Sequence, residues 1–408
     1  MSCAATVPVS PPSRLKSGSL SRAASLYLLA SITVSYLASS SAPTPLYPIY
    51  QAEWGFSSLA VSFVFGIYAL AVLGALLVAG RLSDYVGRRP VLIVATAVQA
   101  GTMFLFAFAD GLSTLIAARV IQGLSTGAAI SAVGAGMMDV DKVRGAVANS
   151  VAPATGTALG GVLAGLMVHY LPAPTHLVYF ILAAIFVAQV IGVVLMPESM
   201  PPRAGAMASL RPQFSLPSAT RQPILVAAPV LIAVWALAGF YGSLGPSLVQ
   251  SSFGLDSSLQ GGMALFVLAA SAGVAVLLTQ RLEGRSLMTY GATALIAGVA
   301  VTVASLSYHC APAFFLGTAL AGSGFGTGFQ AAIRTVVPLA APGERAGVLS
   351  VIFLISYLAM GLPAVVAGYL VARSGDLFLT AREFGAVVMV LAALALIGTL
   401  RRTSNQRS

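Results

Sequence analysis

The chain has 408 residues, of which 58% are hydrophobic and only 8% are charged, and its mean hydropathy is +0.93. Soluble domains carry about 25% charged residues, so this composition excludes an ordinary soluble protein and indicates an integral membrane protein. The formal net charge of +10 does not indicate nucleic-acid binding, because the basic residues are divided among short loops. Cys3 and Cys310 are too few and too far apart for a disulfide framework or a metal site.

The chain begins with a polar segment. Residues 1–23 contain Ser, Pro and Arg without periodicity and are predicted to form a disordered cytoplasmic tail. An apolar run behind a basic stretch is also typical of a secretory signal. A retained first helix is the preferred interpretation, because eleven further apolar spans follow in phase with the loop charges.

Twelve apolar stretches are long enough to cross about 30 Å of hydrocarbon as helices. Six lie in residues 24–196 and six in residues 224–400; residues 197–223 form a cytoplasmic linker and residues 401–408 a second cytoplasmic tail. The predicted fold class is an all-α integral membrane protein with 12 transmembrane helices in two pseudo-symmetric six-helix bundles. The predicted spans are 25–48, 58–80, 90–109, 112–138, 145–169, 175–196, 224–247, 257–279, 287–307, 312–338, 347–371 and 384–400.

The basic residues are distributed asymmetrically along the chain. All Lys and Arg lie in the tails or in alternate loops, except Arg119, Arg334, Arg373 and Arg382. Because cytoplasmic loops carry the excess of basic residues in membrane proteins, this pattern places both termini in the cytoplasm. Arg119 and Arg334 lie within apolar spans and need a separate explanation.

The two halves of the chain show internal similarity. A shift of 201 residues maps Gly123 and Gly127 onto Gly324 and Gly328, among other matches. Transporter folds are often built from such repeats, so the similarity predicts two related halves.

A crowded charged run, residues 80–90, separates the second and third spans. Its two glycines allow a sharp turn, and its acidic residue stands four positions before an arginine with which it can pair. The pattern G-x-L-x-D-x-x-G-R-R resembles the signature loop between helices 2 and 3 of the major facilitator superfamily of secondary transporters. A generic positive cytoplasmic loop is the alternative. The resemblance implies a conformational latch formed by Gly80, Asp84, Gly87, Arg88 and Arg89.

The fourth span contains Arg119, Gln122 and Gly123, which resemble the R-x-x-Q-G motif of helix 4 in the same family. An arginine inside a span is costly in lipid and is expected to face the protein interior or a water-filled cavity. The resemblance implies that these residues relay protons or contact substrate in an exporter. The alternative is that Arg119 bonds carbonyl groups or helix 1 and never contacts substrate.

The fifth span contains Gly156, Gly160 and Gly161 at spacings that let helices pack closely in lipid. The stretch resembles an exporter-associated motif, G-P-x-x-G-G, but Thr157 replaces the proline. This replacement weakens the inference of antiport, and close helix packing alone is the alternative.

The family resemblance implies that helices 1, 4, 7 and 10, with helices 5 and 11, line a central cavity. Arg334 is interpreted either as a counter-charge for an anionic substrate or as a side chain that reaches the membrane surface. The cavity candidates on these helices are Tyr36, Asn149, Tyr241, Gln330, Arg334 and Tyr357.

All eleven carboxylates fall at span ends or in loops. A permanently cationic substrate would therefore lack a buried counter-charge, whereas neutral or anionic amphiphiles suit Arg119 and Arg334. If protons drive transport, the available titratable groups are Glu53, Asp84, Asp139 and Asp141.

The predicted function is secondary active transport, specifically proton-coupled efflux of a small amphiphilic drug or metabolite by alternating access. Proton-coupled import of a small organic anion is the alternative. A membrane receptor with the same fold is a second alternative, of a different functional class. An enzyme is not expected, because the sequence has no nucleotide-binding loop, metal-ligand cluster or nucleophile elbow. The expected partners are the substrate, protons and the lipid bilayer, without nucleic acid, metal or cofactor. The chain is expected to act as a monomer in the cell membrane, which in bacteria is the inner membrane.

Overall fold

The computed structural model describes residues 18–254 and 258–407, and it describes side chains in these ranges except those of Ser258 and residues 402–407. Most of the predicted N-terminal tail lies outside these ranges, and Arg22 already begins the first helix. The predicted C-terminal tail is helical as far as Arg407, because no helix-breaking residue follows the last apolar span.

The described residues form twelve long helices of 20 to 31 residues. Six shorter helical segments lie at their ends or in the loops: Thr44–Leu46, Tyr47–Trp54, Ser83–Val86, Ala206–Ser209, Gly245–Phe253 and Val337–Leu339. The long helices are α1 (Arg22–Ser41), α2 (Ser58–Ala79), α3 (Arg88–Ala107), α4 (Leu112–Val140), α5 (Lys142–Tyr170), α6 (Pro174–Leu195), α7 (Ser218–Ser243), α8 (Ser258–Leu278), α9 (Gly284–Ser307), α10 (Ala311–Val336), α11 (Arg345–Ser374) and α12 (Leu377–Arg407).

Eleven of the long helices in the described ranges are long and apolar enough to cross a membrane. The protein is therefore a multi-pass membrane protein. The helix that does not meet this criterion is α10, whose 26 residues include several glycines together with Ser, Thr, Gln and Arg. Helix α10 packs inside the second bundle, and its crossing of the membrane remains a prediction.

The linker between the two halves is shorter than expected. The sequence predicts a linker that ends at residue 223, but α7 begins at Ser218 and carries Pro223 and Pro229 inside the helix. Transmembrane helices tolerate internal prolines when neighbouring groups satisfy the freed carbonyls, so these prolines do not end the helix.

Local sequence signals set several helix ends. The side chains of Ser21, Ser57 and Asp141 accept backbone N–H groups at the starts of α1, α2 and α5. Gly55 and Gly254 adopt left-handed conformations, with φ of 67° and 60°, and end the short helices that follow α1 and α7. The same termination signal thus recurs in both halves.

Apolar side chains form one core within α1–α6 and another within α7–α12. A small third cluster joins the halves, with Phe65 and Ala69 of α2 packed against Met360 and Ala364 of α11. The predicted two-bundle organisation therefore corresponds to two separate hydrophobic cores, which this small cluster joins.

Glycines bring the two halves together along two helix pairs, α2 with α11 and α5 with α8. A Cβ atom on Gly262 of α8 would overlap the backbone of Gly161 on α5, and one on Gly368 of α11 would overlap Ser62 on α2. Small residues allow such close backbone approach in lipid. Thr44 Oγ1 adds a hydrogen bond of 3.0 Å to the carbonyl oxygen of Gly242.

These contacts are concentrated at one end of the molecule. We call the end that carries residues 80–90 and the linker the basic face, and the other end the opposite face. The Thr44–Gly242 bond and the Ser62–Gly368 contact join residues near the ends of α1, α7 and α11 and the start of α2, all on the opposite face. The two halves are therefore in close contact at the opposite face.

The structure corrects the glycine correspondence between the halves. Gly123 and Gly127 of α4 pack on α2, where added Cβ atoms would lie 2.6 Å from Ala71 Cβ and 2.5 Å from Val72 O. In the second half the glycines that pack on α8 are Gly322 and Gly326, whereas Gly324 packs on α9. Glycines are equivalent in the two halves when they contact equivalent helices. Gly123 and Gly127 therefore correspond to Gly322 and Gly326, at a shift of 199 positions. The glycine equivalences predicted with a 201-residue shift are wrong.

Replacing Gly160 with Ala is expected to destabilise the protein by about 1–3 kcal/mol. The new methyl group would overlap the carbonyl oxygen of Ala38 and the hydroxyl of Ser41 in α1. Gly101→Ala is the matched control, because no atom lies within 4 Å of the position of its Cβ. Thermal unfolding of the purified variants in detergent measures the difference, and equal melting temperatures would contradict the packing argument.

Candidate functional site

The turn between α2 and α3 depends on a glycine. Gly87 has a φ of 102°, which L side chains rarely adopt, and it separates the short helix Ser83–Val86 from α3. A Cβ atom here would also lie 2.6 Å from Glu198 Oε2. The position therefore requires glycine both for its backbone conformation and for the approach of a carboxylate.

The side chain of Arg88 connects this turn to the end of α4. Nη1 donates to Asp84 Oδ1 at 2.5 Å and to Ser83 Oγ at 2.7 Å, and Nε donates to Asp139 Oδ2 at 3.1 Å. Arg88 is only 4% exposed, whereas the side chains of Asp84 and Asp139 are 45% and 28% exposed, so the guanidinium is shielded from water and the carboxylates remain partly accessible. The structure thus brings together the predicted pair Asp84 and Arg88 and adds Asp139 as a third member.

Glu198 is a residue of this site that the sequence analysis missed. Its carboxylate accepts the backbone N–H groups of Arg88 and Arg89, at 2.9 and 3.0 Å, at the start of α3. A carboxylate at a helix N-terminus satisfies free N–H groups and interacts favourably with the helix dipole. The available signal was an acidic residue just beyond the apolar end of the sixth span. The guanidinium of Arg89 donates to the carbonyl oxygen of Val194 at the end of α6.

The turn is therefore fixed to its own half of the molecule. Its described side-chain bonds reach the ends of α4 and α6, and the N–H of Arg203 in the linker donates to the carbonyl oxygen of Tyr85 at 2.7 Å. Gly80 lies at the end of α2, with Ser131 of α4 close to its backbone. These contacts hold the basic face of the first bundle together.

Arg119 lies in the part of α4 that is closer to the opposite face, and its side chain is 0% exposed. Nη1 donates to the carbonyl oxygen of Ser40 at 2.9 Å and to Gln122 Oε1 at 2.8 Å, and Nη2 donates to Tyr47 Oη at 2.5 Å. Gln122 in turn donates to the carbonyl oxygen of Ser39 at 3.0 Å. The predicted group of Arg119, Gln122 and Gly123 therefore joins α4 to the end of α1 and to α2.

Aromatic rings enclose the guanidinium of Arg119. Its Cζ lies 5.2 Å from the ring centre of Tyr68 and 5.7 Å from those of Tyr47 and Phe106. Such cation–π contacts stabilise a desolvated cation. Among the described residues no carboxylate lies within 4 Å of this side chain, and its Nε has no hydrogen-bond partner. The interior of the first half thus carries a positive charge without an acidic partner.

The residues that Arg119 holds are next to a contact between the halves. Ser40 and Tyr47 lie on either side of Thr44, whose hydroxyl bonds Gly242 in the second half. Arg119 therefore stabilises the segment of the first half that meets the second half at the opposite face.

Two predicted cavity residues are instead buried within the cores of the bundles. Tyr36 Oη lies 3.3 Å from Ser125 Oγ of α4, and Tyr241 Oη lies 2.8 Å from Thr318 Oγ1 of α10. Each tyrosine is packed within its own half and is almost completely buried. The sequence could not show this orientation, because the polar and apolar residues of α1 and α7 are not segregated on separate faces.

The remaining cavity candidates occupy different environments. Arg334 Nη1 donates to the carbonyl oxygens of Gln280 and Leu282, at 2.9 and 3.0 Å, and so stabilises the turn after α8 at the basic face. Asn149 is exposed near the start of α5, and Gln330 has a buried Oε1 without a partner. Gly156 and Gly160 of α5 contact α1, while Gly161 contacts α8.

Tyr357 belongs to a group of aromatic side chains from α7, α10 and α11, which we call the aromatic cluster: Trp235, Phe325, Phe329, Phe353 and Tyr357. The ring centre of Trp235 lies 5.7 Å from Phe325, 5.3 Å from Phe329 and 5.4 Å from Tyr357. Trp235 and Tyr357 also pack against the apolar cluster that joins the two halves. Trp235 was not predicted as a site residue, although a tryptophan in the middle of a span was an available signal.

A groove of about 650 Å³ opens at the basic face between the starts of α1 and α5 and the end of α8. Its lining is mainly apolar, and Arg144 is its charged member. An amphiphile could place its apolar part against these side chains and an anionic group near Arg144. The residues that line the groove are Leu26, Tyr27, Ala30, Val143, Arg144, Val147, Ala148, Val151, Ala152 and Leu277.

Comparison with known proteins identifies the family. The family model described as Major Facilitator Superfamily matches residues 29–364. The chain belongs to the major facilitator superfamily. This membership, together with the apolar helices, makes the protein a multi-pass membrane transporter of small molecules and not an enzyme. The predicted family is thereby confirmed.

A solved structure similar to this superfamily member is a crystal structure of a mutant of the nucleoside transporter NupG. The two share 13% sequence identity with a TM-score of 0.68, over 94% of this chain and 99% of that chain. At this identity the similarity shows the fold alone. No curated protein matches the chain significantly.

Replacing Arg88 with Ala is expected to destabilise the first bundle by about 1–3 kcal/mol, because Asp84 and Asp139 would lose their shared cation. A double-mutant cycle with Asp139→Asn should show a coupling energy of at least about 0.5 kcal/mol in thermal unfolding. Arg285→Ala, at an exposed arginine on the same face of the second half, is the control. Additive effects of the two changes would contradict the contact.

Replacing Arg119 with Lys is expected to loosen the segment around residues 42–54, since one ammonium group cannot bond Ser40, Gln122 and Tyr47 in the same geometry. Backbone amide exchange in that segment should rise about tenfold, which corresponds to roughly 1.4 kcal/mol of local stability. Hydrogen–deuterium exchange with mass spectrometry measures it, and peptides from α12 provide the internal reference. Unchanged exchange around residues 42–54 would show that Arg119 does not hold this segment.

Proposed function

We propose that this transporter exports small neutral or anionic amphiphiles in exchange for protons, by alternating access. The observation that carries the proposal is the sign of the buried charge. In the described part of the chain, the buried charged side chains are Arg88 and Arg119, and no carboxylate is buried. A permanently cationic substrate would meet an interior of its own sign, whereas a neutral or anionic one would not.

Alternating access is supported by the way the halves meet. Each half has its own hydrophobic core, and the halves touch through glycine-rich helix pairs and one small apolar cluster. Such an arrangement allows the bundles to rock as rigid bodies about a central site. The close contact at the opposite face corresponds to a state that is closed on that side.

Export is supported by the groove at the basic face. If the basic face is cytoplasmic, as the loop charges predict, the groove would admit an amphiphile from the cytoplasmic leaflet. The similarity of the α4 and α5 sequences to exporter motifs favours the same direction. We expect the protein to act in this way in the cell membrane, in bacteria the inner membrane, as a monomer with both termini in the cytoplasm.

Proton coupling is assigned to the carboxylates around Arg88. Protonation of Asp84 or Asp139 would remove a charge-assisted bond to Arg88 and weaken the contact between the turn and α4. Asp141 caps the start of α5 and Glu53 is exposed, so their protonation would affect fewer contacts. The proton gradient would be the energy source, without a cofactor.

Proton-coupled import of a small organic anion is the second candidate. The unpaired charge of Arg119 favours an anionic substrate in either direction of transport. The direction of flux in vesicles distinguishes the two candidates.

The proposal predicts gradient-dependent accumulation of amphiphiles in inverted membrane vesicles. A panel of anionic, neutral and permanently cationic compounds is supplied with and without an inside-acid pH gradient. Neutral or anionic compounds should accumulate only with the gradient, and Arg119→Ala should abolish the accumulation while Arg285→Ala, at an exposed position, should not. Uptake into right-side-out vesicles driven by an inward proton gradient would establish import instead. Preferential accumulation of the cations would overturn the charge argument.

A further inference from the structure

The aromatic cluster is formed by three helices that converge inside the second half. Phe325 and Phe329 are one turn apart on α10, on the stripe between Gly328, which faces α7, and Gly326, which faces α8. Trp235 meets both rings edge to face, with interplanar angles of 82°. The two phenylalanines therefore point into the space enclosed by α7, α8 and α11, and not toward lipid.

The cluster contains a polar group that the protein leaves without a partner. Nε1 of Trp235 is buried and has no hydrogen-bond acceptor. Indole N–H groups usually find an acceptor when they are buried, because an unmade hydrogen bond is costly there. Most hydroxyls on the same helices bond their own backbone, as Ser243 and Thr327 do. The indole N–H has no such local acceptor.

The cluster also lies where the two halves of the transporter meet. Trp235 and Tyr357 pack against the apolar cluster that joins the halves, which consists of Phe65 and Ala69 of the first half and Met360 and Ala364 of the second. Movement of the halves relative to each other would therefore change the surroundings of the indole ring. In the present conformation Nε1 is shielded, so an acceptor would reach it only when this contact opens or a neighbouring ring turns.

We propose that the aromatic cluster is the substrate subsite of the second half, and that it takes a flat, neutral aromatic or heteroaromatic ring with a hydrogen-bond acceptor at its edge. The ring would stack among Trp235, Phe329 and Tyr357, and the acceptor would receive the indole N–H. This inference rests on the proposed function, because it names the class of substrate for the same transporter. It assigns the specificity to the second half and the uncompensated charge to the first.

Ring stacking and hydrogen bonding can be separated with matched probes. The probes are 9-fluorenone, which carries a carbonyl acceptor, fluorene, which has the same ring system without it, and N-methylquinolinium, a permanent cation. Binding is measured by equilibrium dialysis with the full chain in lipid nanodiscs, and empty nanodiscs correct for partition into lipid. Quenching of Trp235 fluorescence in a Trp54→Phe background provides a second readout at the site itself.

Fluorenone is expected to bind about five- to tenfold more tightly than fluorene, the usual effect of one hydrogen bond. Trp235→Phe should remove this difference and leave fluorene binding unchanged, whereas Trp235→Ala should weaken both. Phe63→Ala is the aromatic control, because Phe63 lies on the outside of α2 and is 44% exposed. Thermal unfolding of each variant identifies any loss of folded protein.

Three results would overturn the inference. They are equal binding of fluorenone and fluorene, equal binding by the wild type and Trp235→Ala, and tighter Trp235-dependent binding of the cation, which would indicate a cation–π site. The outcome is independent of the vesicle experiment. Proton-driven export without Trp235-dependent binding would reject the subsite alone, and Trp235-dependent binding without proton-driven flux would reject the proposed function alone.

Discussion

Buried charged groups in this protein depend on partners within the protein, because hydrocarbon offers none. Arg88 meets this requirement with two carboxylates and Arg119 with two oxygen atoms of the first helical segment, an amide and three rings. Each arginine thereby ties together segments that are distant in sequence. The arrangement of the first half, from its basic face to its opposite face, depends on these two side chains.

The second half is organised differently, although the two halves are related. Its equivalent of the charged turn is held by Arg334, which bonds two backbone carbonyls and no carboxylate within the described residues. Among its described residues, the interior contains the aromatic cluster in place of a buried charge. The two halves therefore differ in chemistry, with an enclosed positive charge in the first and an aromatic cluster in the second.

Glycines let the helices of the two halves approach each other closely. The short distance between their backbones leaves no room for larger side chains at these positions. The pairs Gly161–Gly262 and Ser62–Gly368 place backbones in contact on the opposite face. Contacts of this kind depend on small residues, which let the helix backbones approach closely. This property is compatible with halves that open and close, whereas the core of each bundle stays packed.

The membrane class, the family, the approximate spans and the Asp84–Arg88 pair could all be predicted from the sequence, because these depend on local length, hydropathy and spacing. Tertiary structure alone decided which way each side chain on an apolar helix points. It placed Tyr36 and Tyr241 in the bundle cores, brought Glu198 to the start of α3 and gathered the aromatic rings around Trp235. A helix without separate polar and apolar faces carries no periodic signal for its orientation, and Glu198 lies in a loop, so these contacts follow only from how the helices pack.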